Sequence, residues 1–131
     1  MRTERQQAGD AAEALVAARI TAQGWSVLGR QVRAGRCEID IVAIDQGPPA
    51  RLVAIEVRWR ARRDFGLPEE TFDWRKRGRL VRACQLLRER GLPGGHRLPA
   101  LPMAVDLIVV EPPSHAGAPV RLRHHRDALS A

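Results

Sequence analysis

Two neighbouring apolar runs carry acidic side chains at positions where a buried strand normally has none. They are residues 38–44, with the sequence EIDIVAI, and residues 52–58, with the sequence LVAIEVR. Val and Ile dominate both runs, which predicts two adjacent β-strands. A carboxylate inside such a strand is costly unless it has a partner. Asp40 and Glu56 therefore indicate either a shared cation or ordinary salt bridges with arginines, and spacing alone favours neither.

The alternation of side chains places a basic residue beside the second carboxylate. Glu56 and Arg58 are two positions apart, so they are predicted to share one face of their strand. By the same rule Asp40 shares a face with Val42, and antiparallel pairing of the two runs would bring Asp40 near Glu56 or Arg58. Two close carboxylates repel each other, and hard oxygen ligands favour Mg²⁺ or Mn²⁺. Such a metal site would hold a scissile phosphate and activate a water molecule.

Two further charged residues lie at the head of apolar helical stripes. Glu13 lines up with Val16 and Ile20 and is predicted to reach the acidic pair, although a first-turn glutamate favoured by the helix dipole explains it equally well. Lys76 is the single lysine among the 22 Lys and Arg residues. It heads the stripe that continues through Leu80, from which it would approach a phosphate. The alternative is that an arginine-rich composition simply retained one lysine.

The rest of the pattern predicts a single α/β domain over residues 1–131, with its core at about 9–110 and a tail at 111–131. Helices are expected at 9–23 and 74–90, and strands at 25–32, 37–45, 52–58 and 103–110, with room for an edge strand at 120–123. Asp10 and Asp73 are the expected helix N-caps. The order α-β-β-β-α-β predicts a mixed sheet flanked by helices.

The charge of the chain indicates a polyanionic partner. A formal net charge of +7 and a pI of about 11.2 favour nucleic acid, although a solvated basic surface is the simpler alternative. The predicted nucleic-acid-binding residues are Arg60, Arg62, Arg63, Arg75, Arg77 and Arg79. No apolar run approaches the roughly 20 residues that span a membrane. We therefore expect a cytoplasmic protein without a membrane partner and with two reduced thiols.

An ordered set of short motifs resembles a known family. The segments are GDAAE at 9–13, GW at 24–25, EIDIVA at 38–43, IEVRWR at 55–60, FG at 65–66, Lys76, and VD at 105–106. Together they are similar to the YraN-like family of small bacterial proteins, which itself resembles archaeal Holliday-junction resolvases of the PD-(D/E)xK nuclease superfamily. The resemblance implies a restriction-endonuclease-like fold. It also implies metal-site roles for Glu13, Asp40 and Glu56.

One departure from the superfamily pattern bears on activity. The position of the superfamily lysine falls on Arg58, and an arginine stays protonated, so it cannot act as a general base. It can still hold a phosphate or stabilise developing charge, and Lys76 is a candidate substitute. Resolvase-like enzymes often act as symmetric dimers, so a homodimer is also expected.

Three functions remain open at this stage. The first is a Mg²⁺-dependent endonuclease acting on DNA, which the resemblance extends to branched DNA. The second is a catalytically impaired nucleic-acid-binding module of the same fold, which Arg58 favours. The third is a protein-interaction domain whose basic surface meets an acidic protein. Metal titration separates the first from the others, and the salt dependence of DNA binding separates the second from the third.

Overall fold

A computed structural model describes residues 2–60 and 74–128. Its elements are α1 (Glu4–Ala22), β1 (Ser26–Ala34), β2 (Cys37–Asp45), β3 (Arg51–Trp59), α2 (Trp74–Arg90), β4 (Met103–Glu111) and β5 (Arg121–His125). The predicted α/β class and the order α-β-β-β-α-β are confirmed, and the edge strand follows as β5. Neither described helix is long and apolar enough to cross a membrane. The predicted cap Asp73 and the FG motif at 65–66 lie outside the described residues.

The strands form one mixed sheet in the order β1-β2-β3-β4-β5. The β1–β2, β2–β3 and β4–β5 pairs are antiparallel, whereas β3 and β4 are parallel. The parallel pair requires a crossover, since neighbouring parallel strands cannot be joined by a tight turn. Helix α2 lies in that connection. Because β2 and β3 are neighbours and antiparallel, the two acidic runs lie side by side, as the sequence predicts.

Helix α1 begins earlier than the sequence analysis placed it. Thr3, rather than Asp10, is the N-cap, and the Thr3 hydroxyl accepts from the backbone N–H of Gln6. The Gln6 side chain in turn accepts from the backbone N–H of Thr3, which completes a capping box. The prediction of a start at Gly9 and Asp10 was therefore wrong, because this reciprocal cap lies farther upstream. The predicted end is confirmed, with Gly24 at a φ of 91° just after the helix.

Each helix covers one face of the sheet, and each interface forms a separate apolar core. Helix α1 packs Ala12, Val16 and Ile20 against one face of β2, β3 and β4. Helix α2 packs a second set against the opposite face, namely Leu80, Ala83, Cys84 and Leu87. Residues on both helices point inward at the spacing the sequence predicts. The sheet is thus buried on both sides, so any carboxylate near its centre is removed from water.

The C-terminal segment is attached through a buried carboxylate. Asp106 in β4 is fully buried, and one of its oxygens lies 2.7 Å from Nε2 of His124 in β5. Its other oxygen accepts from the backbone N–H of Asp127 at 2.8 Å. Asp106 thus links β4 to β5 and to the turn that follows β5. Its partner His124 was not predictable, because it lies in a C-terminal segment without a recognisable sequence pattern.

Candidate active site

The regular alternation of β1 and β2 breaks where Asp40 lies. Ile39 packs on the α2 side of the sheet with Val42, whereas Ile41 packs on the α1 side. Gln31 falls between the pairs Arg30–Ile41 and Val32–Ile39, opposite Asp40, and has a φ of 48°. A positive φ is uncommon for a residue other than glycine. Simple alternation predicts that Asp40 and Val42 share one face of the sheet. The alternation is interrupted at Asp40, so it does not determine the direction of this side chain.

Asp40 turns its side chain toward the neighbouring strand. The β2–β3 pairing ends at Ile41 and Ile55. Just beyond it, Oδ2 of Asp40 accepts from the backbone N–H of Val57 at 2.8 Å. The carboxylate thus takes the place of a backbone acceptor at the point where the ladder stops. This contact fixes Asp40 directly beside Glu56, which precedes Val57 in the chain.

The pKa of Asp40 is raised from 3.8 to about 7. Burial is the main cause, because it removes the charged form from water, and the neighbouring charge of Glu56 is the second. Glu13 raises the pKa further, whereas the Val57 N–H and the Lys76 ammonium lower it. Perturbed carboxylates of this kind concentrate at functional sites, although structural charge networks produce them too.

Glu56 is buried, with 6% of its surface exposed, and it is contacted by two cations. Nε of Arg58 lies 3.2 Å from Oε1 of Glu56, which confirms that the two residues share a face. Nζ of Lys76 lies 3.4 Å from the same oxygen. The single lysine of the chain thus reaches, from α2, the same carboxylate that Arg58 contacts from β3. Arg58 of β3 and Lys76 of α2 contact the same carboxylate oxygen of Glu56.

Glu13 reaches the edge of this site from the α1 side. It is buried, at 5% exposure, and its Oε1 accepts from Nε of Arg30 in β1 at 3.0 Å. Its negative charge contributes to the raised pKa of Asp40, after burial and Glu56. Arg30 balances one of the buried negative charges. Arg30 was not among the predicted site residues; its only sequence signal was its position on β1, beside the predicted β2 carboxylates.

These side chains form no complete metal cage by themselves. Among residues 2–60 and 74–128, no group of three or more His, Cys, Asp or Glu side chains is positioned to hold a metal ion. Asp40 and Glu56 come together, and Glu13 is held to Arg30. A pair of carboxylates nevertheless fits the chemistry of Mg²⁺, which is commonly bound by one or two carboxylates together with waters and substrate phosphates. The raised pKa of the half-buried Asp40 shows that its charged form is disfavoured, and a bound cation would stabilise that form.

The predicted nucleic-acid-binding arginines have different environments. Arg60 is largely buried and lies 3.7 Å from Glu111, so its charge is directed into the protein. Arg75 is exposed, and its guanidinium lies 5.3 Å from the ring centre of Trp74. Arg79 is exposed on α2, and Arg77 is half-buried. Arg62 and Arg63 lie outside the described residues.

Comparison with known proteins identifies the family of the chain. The profile of the uncharacterised protein family UPF0102 matches residues 12–110. The chain belongs to this family. The match covers all the strands that carry the candidate site, together with α2 and most of α1, and it confirms the YraN-like resemblance of the ordered motifs.

Individual UPF0102 proteins extend this match over most or all of the chain. One from Moorella thermoacetica is 44% identical over 95 residues, which cover 72% of this chain and 77% of that protein. One from Xanthomonas euvesicatoria pv. vesicatoria is 36% identical over 132 residues, covering 100% of this chain and 98% of its own length. One from Pseudomonas putida is 31% identical over 115 residues, with 88% of each chain covered. The similarity therefore includes the whole described sheet.

Proposed function

We propose that this UPF0102 protein is a metal-dependent endonuclease that hydrolyses phosphodiester bonds in DNA. The observation that supports the proposal is the convergence of Asp40, Glu56 and Lys76 at the point where the β2–β3 ladder ends. A buried carboxylate, a half-buried carboxylate and an ammonium group are the components of a phosphodiesterase centre. The net charge of +7 favours a polyanionic substrate.

The carboxylates of Asp40 and Glu56 would hold Mg²⁺ or Mn²⁺. When bound, the metal would lower the pKa of a coordinated water and place a positive charge against the phosphate. Glu13 would add its negative charge to the metal site. It would become a metal ligand only after its ion pair with Arg30 is broken. The Val57 N–H holds the Asp40 carboxylate in one orientation, so this ligand is already positioned for a metal.

The cations beside Glu56 have separate tasks in this mechanism. Lys76 is a mobile ammonium with three donors, suited to orienting a water or stabilising the charge that develops on the phosphate. Arg58 carries a permanent charge and a planar fork that pairs with phosphate oxygens. Lys76 therefore takes the position of the superfamily lysine, and Arg58 acts as a phosphate clamp. Each of these roles requires Glu56 to exchange its present ion pairs for contacts with the metal and the substrate.

The experiment measures cleavage of labelled four-way junction, single-stranded and duplex DNA, with Mn²⁺ and with chelator. We expect Asp40→Asn to abolish cleavage and Lys76→Gln to reduce it by about 10²-fold, as removal of one charge-stabilising donor does in other enzymes. Asp10→Asn is the matched control, because Asp10 is a surface carboxylate on α1 paired with Arg2. The double variant Arg58→Lys with Lys76→Gln should recover activity, since it restores an ammonium beside Glu56.

A second function is favoured by the present contacts of Glu56. Its ion pairs with Arg58 and Lys76 also serve as static salt bridges, as expected of a DNA-binding module without catalysis. Calorimetric titration with Mn²⁺ distinguishes the two functions. Heat of binding that disappears in Asp40→Asn supports the endonuclease. DNA binding without metal binding or cleavage, in both the wild type and Arg58→Lys, supports the module.

A further inference from the structure

A cavity of about 550 Å³ opens beside the candidate active site, between the β1–β2 turn and helix α2. Lys76 lines it and also contacts Glu56, so the cavity is continuous with the proposed catalytic group. Its volume falls within the range of small-molecule and nucleotide pockets, roughly 300–1,000 Å³. The mechanism proposed above makes no use of this space.

The charge of the cavity wall favours an anionic occupant. Arg36 from the β1–β2 turn faces Arg79 and Arg82 from α2, and Lys76 lies at the end nearest the site. Among the described residues of the wall the single acidic side chain is Glu38, whose carboxylate lies 4.0 Å from the guanidinium of Arg33. Arginine forks pair with phosphate oxygens in a bidentate manner. The wall is thus suited to binding one or two phosphate groups of the DNA backbone next to the scissile phosphate.

The other part of the wall is apolar. Ala34, Ala83 and Leu86 line it. The turn is held closely against this surface, because a Cβ added to Gly35 would lie 3.0 Å from Cδ1 of Leu86. The thiol of Cys37 also lines the cavity, and burial is the main reason that its pKa is raised. A wholly phosphate-binding surface would not need such an apolar patch, whereas the face of a nucleobase would pack against it.

We infer that this cavity binds an unpaired nucleotide of single-stranded DNA adjacent to the scissile phosphate. The inference rests on the proposed function and names its substrate class. A base in an intact duplex is stacked and paired, and it enters a pocket only after an energetically costly flip. A single strand turns its bases out freely, so the base meets Leu86 while the phosphates meet the arginines. The protein is therefore suited to substrates with an unpaired strand at the cleavage point.

Cys37 provides a direct probe of occupancy that does not depend on catalysis. Cys84 is the only other cysteine; it is buried, and burial raises its pKa to about 12, so alkylation reports on Cys37. The experiment measures the rate of N-ethylmaleimide alkylation of the full-length protein under mildly alkaline conditions, with chelator present. The added probes are a short oligo-dT, an abasic oligomer of the same length and charge, and a blunt duplex of that length.

We expect oligo-dT to protect Cys37 at a concentration about tenfold lower than the abasic oligomer, which corresponds to about 1.4 kcal/mol. The blunt duplex should leave the alkylation rate nearly unchanged. Leu86→Gln should remove the advantage of oligo-dT over the abasic oligomer, whereas Arg82→Ala should weaken both. Arg19→Gln is the matched control, because Arg19 is an exposed residue of α1, which covers the opposite face of the sheet, and it should alter neither.

Equal protection by the abasic oligomer, or protection by the duplex as strong as that by oligo-dT, would overturn the inference. The outcome is separable from that of the endonuclease proposal. Protection without any cleavage retains the cavity as a single-strand site and removes the catalytic function. Cleavage without protection retains the catalytic function and removes the cavity from it.

Discussion

Replacement of Asp40 by asparagine should make the protein more stable at alkaline pH while removing its proposed activity. Asparagine has the shape of aspartate, and its side-chain oxygen can still accept from the Val57 N–H that Asp40 binds at 2.8 Å. The substitution therefore removes a charge and keeps a contact. Burial and the nearby Glu56 make that charge unfavourable in the folded protein.

The magnitude follows from the pKa of Asp40, which is raised from 3.8 to about 7 on folding. Between these two values the unfolded chain has already released the proton, whereas the folded protein retains it. The contribution of Asp40 to stability therefore falls as the pH rises from about 4 to about 7. Each pH unit of difference is worth about 1.36 kcal/mol, which gives an upper value of about 4 kcal/mol. The gain of Asp40→Asn over the wild type should approach this value above pH 7 and vanish near pH 4.

The assay is urea unfolding of the wild type and the variant at a series of pH values, with Asp10→Asn as the control. Asp10 is a partly exposed carboxylate in a surface ion pair with Arg2, and such pairs contribute about 0–1 kcal/mol. Added Mg²⁺ should stabilise the wild type at pH 8 and leave Asp40→Asn unchanged, since a bound ligand stabilises the folded state. A stability difference that does not change with pH, or a variant less stable than the wild type at pH 8, would refute the reasoning.

Three further substitutions test the fold. Asp106→Ala should cost about 1.5–3 kcal/mol in urea unfolding, because His124 and the Asp127 N–H lose their hydrogen-bond acceptor. A loss below about 0.5 kcal/mol would contradict this role. Leu80→Ala should cost about 2–5 kcal/mol, since Leu80 is fully buried between α2 and the sheet; an unchanged urea midpoint would contradict that packing. Thr3→Ala should cost about 1 kcal/mol by thermal unfolding through loss of the capping box, and no change in Tm would argue for a start of α1 near Gly9.

The strands and α2 were predictable because their signals are local. Cys37–Asp45 and Trp74–Arg90 have the predicted bounds, since turn residues limit the first and a breaker at Gly91 ends the second. The start of α1 was not predicted, because Gly9 and Asp10 resemble a helix cap and the Thr3–Gln6 box lies in a polar segment without apolar periodicity.

The candidate site was predictable in its residue types and only partly in its geometry. Alternation correctly placed Glu56 and Arg58 together. It did not reveal the positive φ of Gln31 or the turn of Asp40 toward Val57, because a strand distortion depends on pairing with neighbours. The approach of Lys76 to Glu56 depends on the angle at which α2 crosses the sheet. That crossing angle cannot be read from a single sequence.

The distortion at Gln31 has a further consequence for self-association. Strand β1 forms one edge of the described sheet, and it combines a register shift between Val27 and Gly29 with the positive φ of Gln31. The opposite edge, β5, is short and carries the sequence RLRHH. Irregular or positively charged edges are poor templates for the addition of another strand, so both edges resist aggregation and sheet extension. A homodimer of this protein, which the resolvase resemblance predicts, would therefore be formed through helices or loops rather than through a continuous sheet.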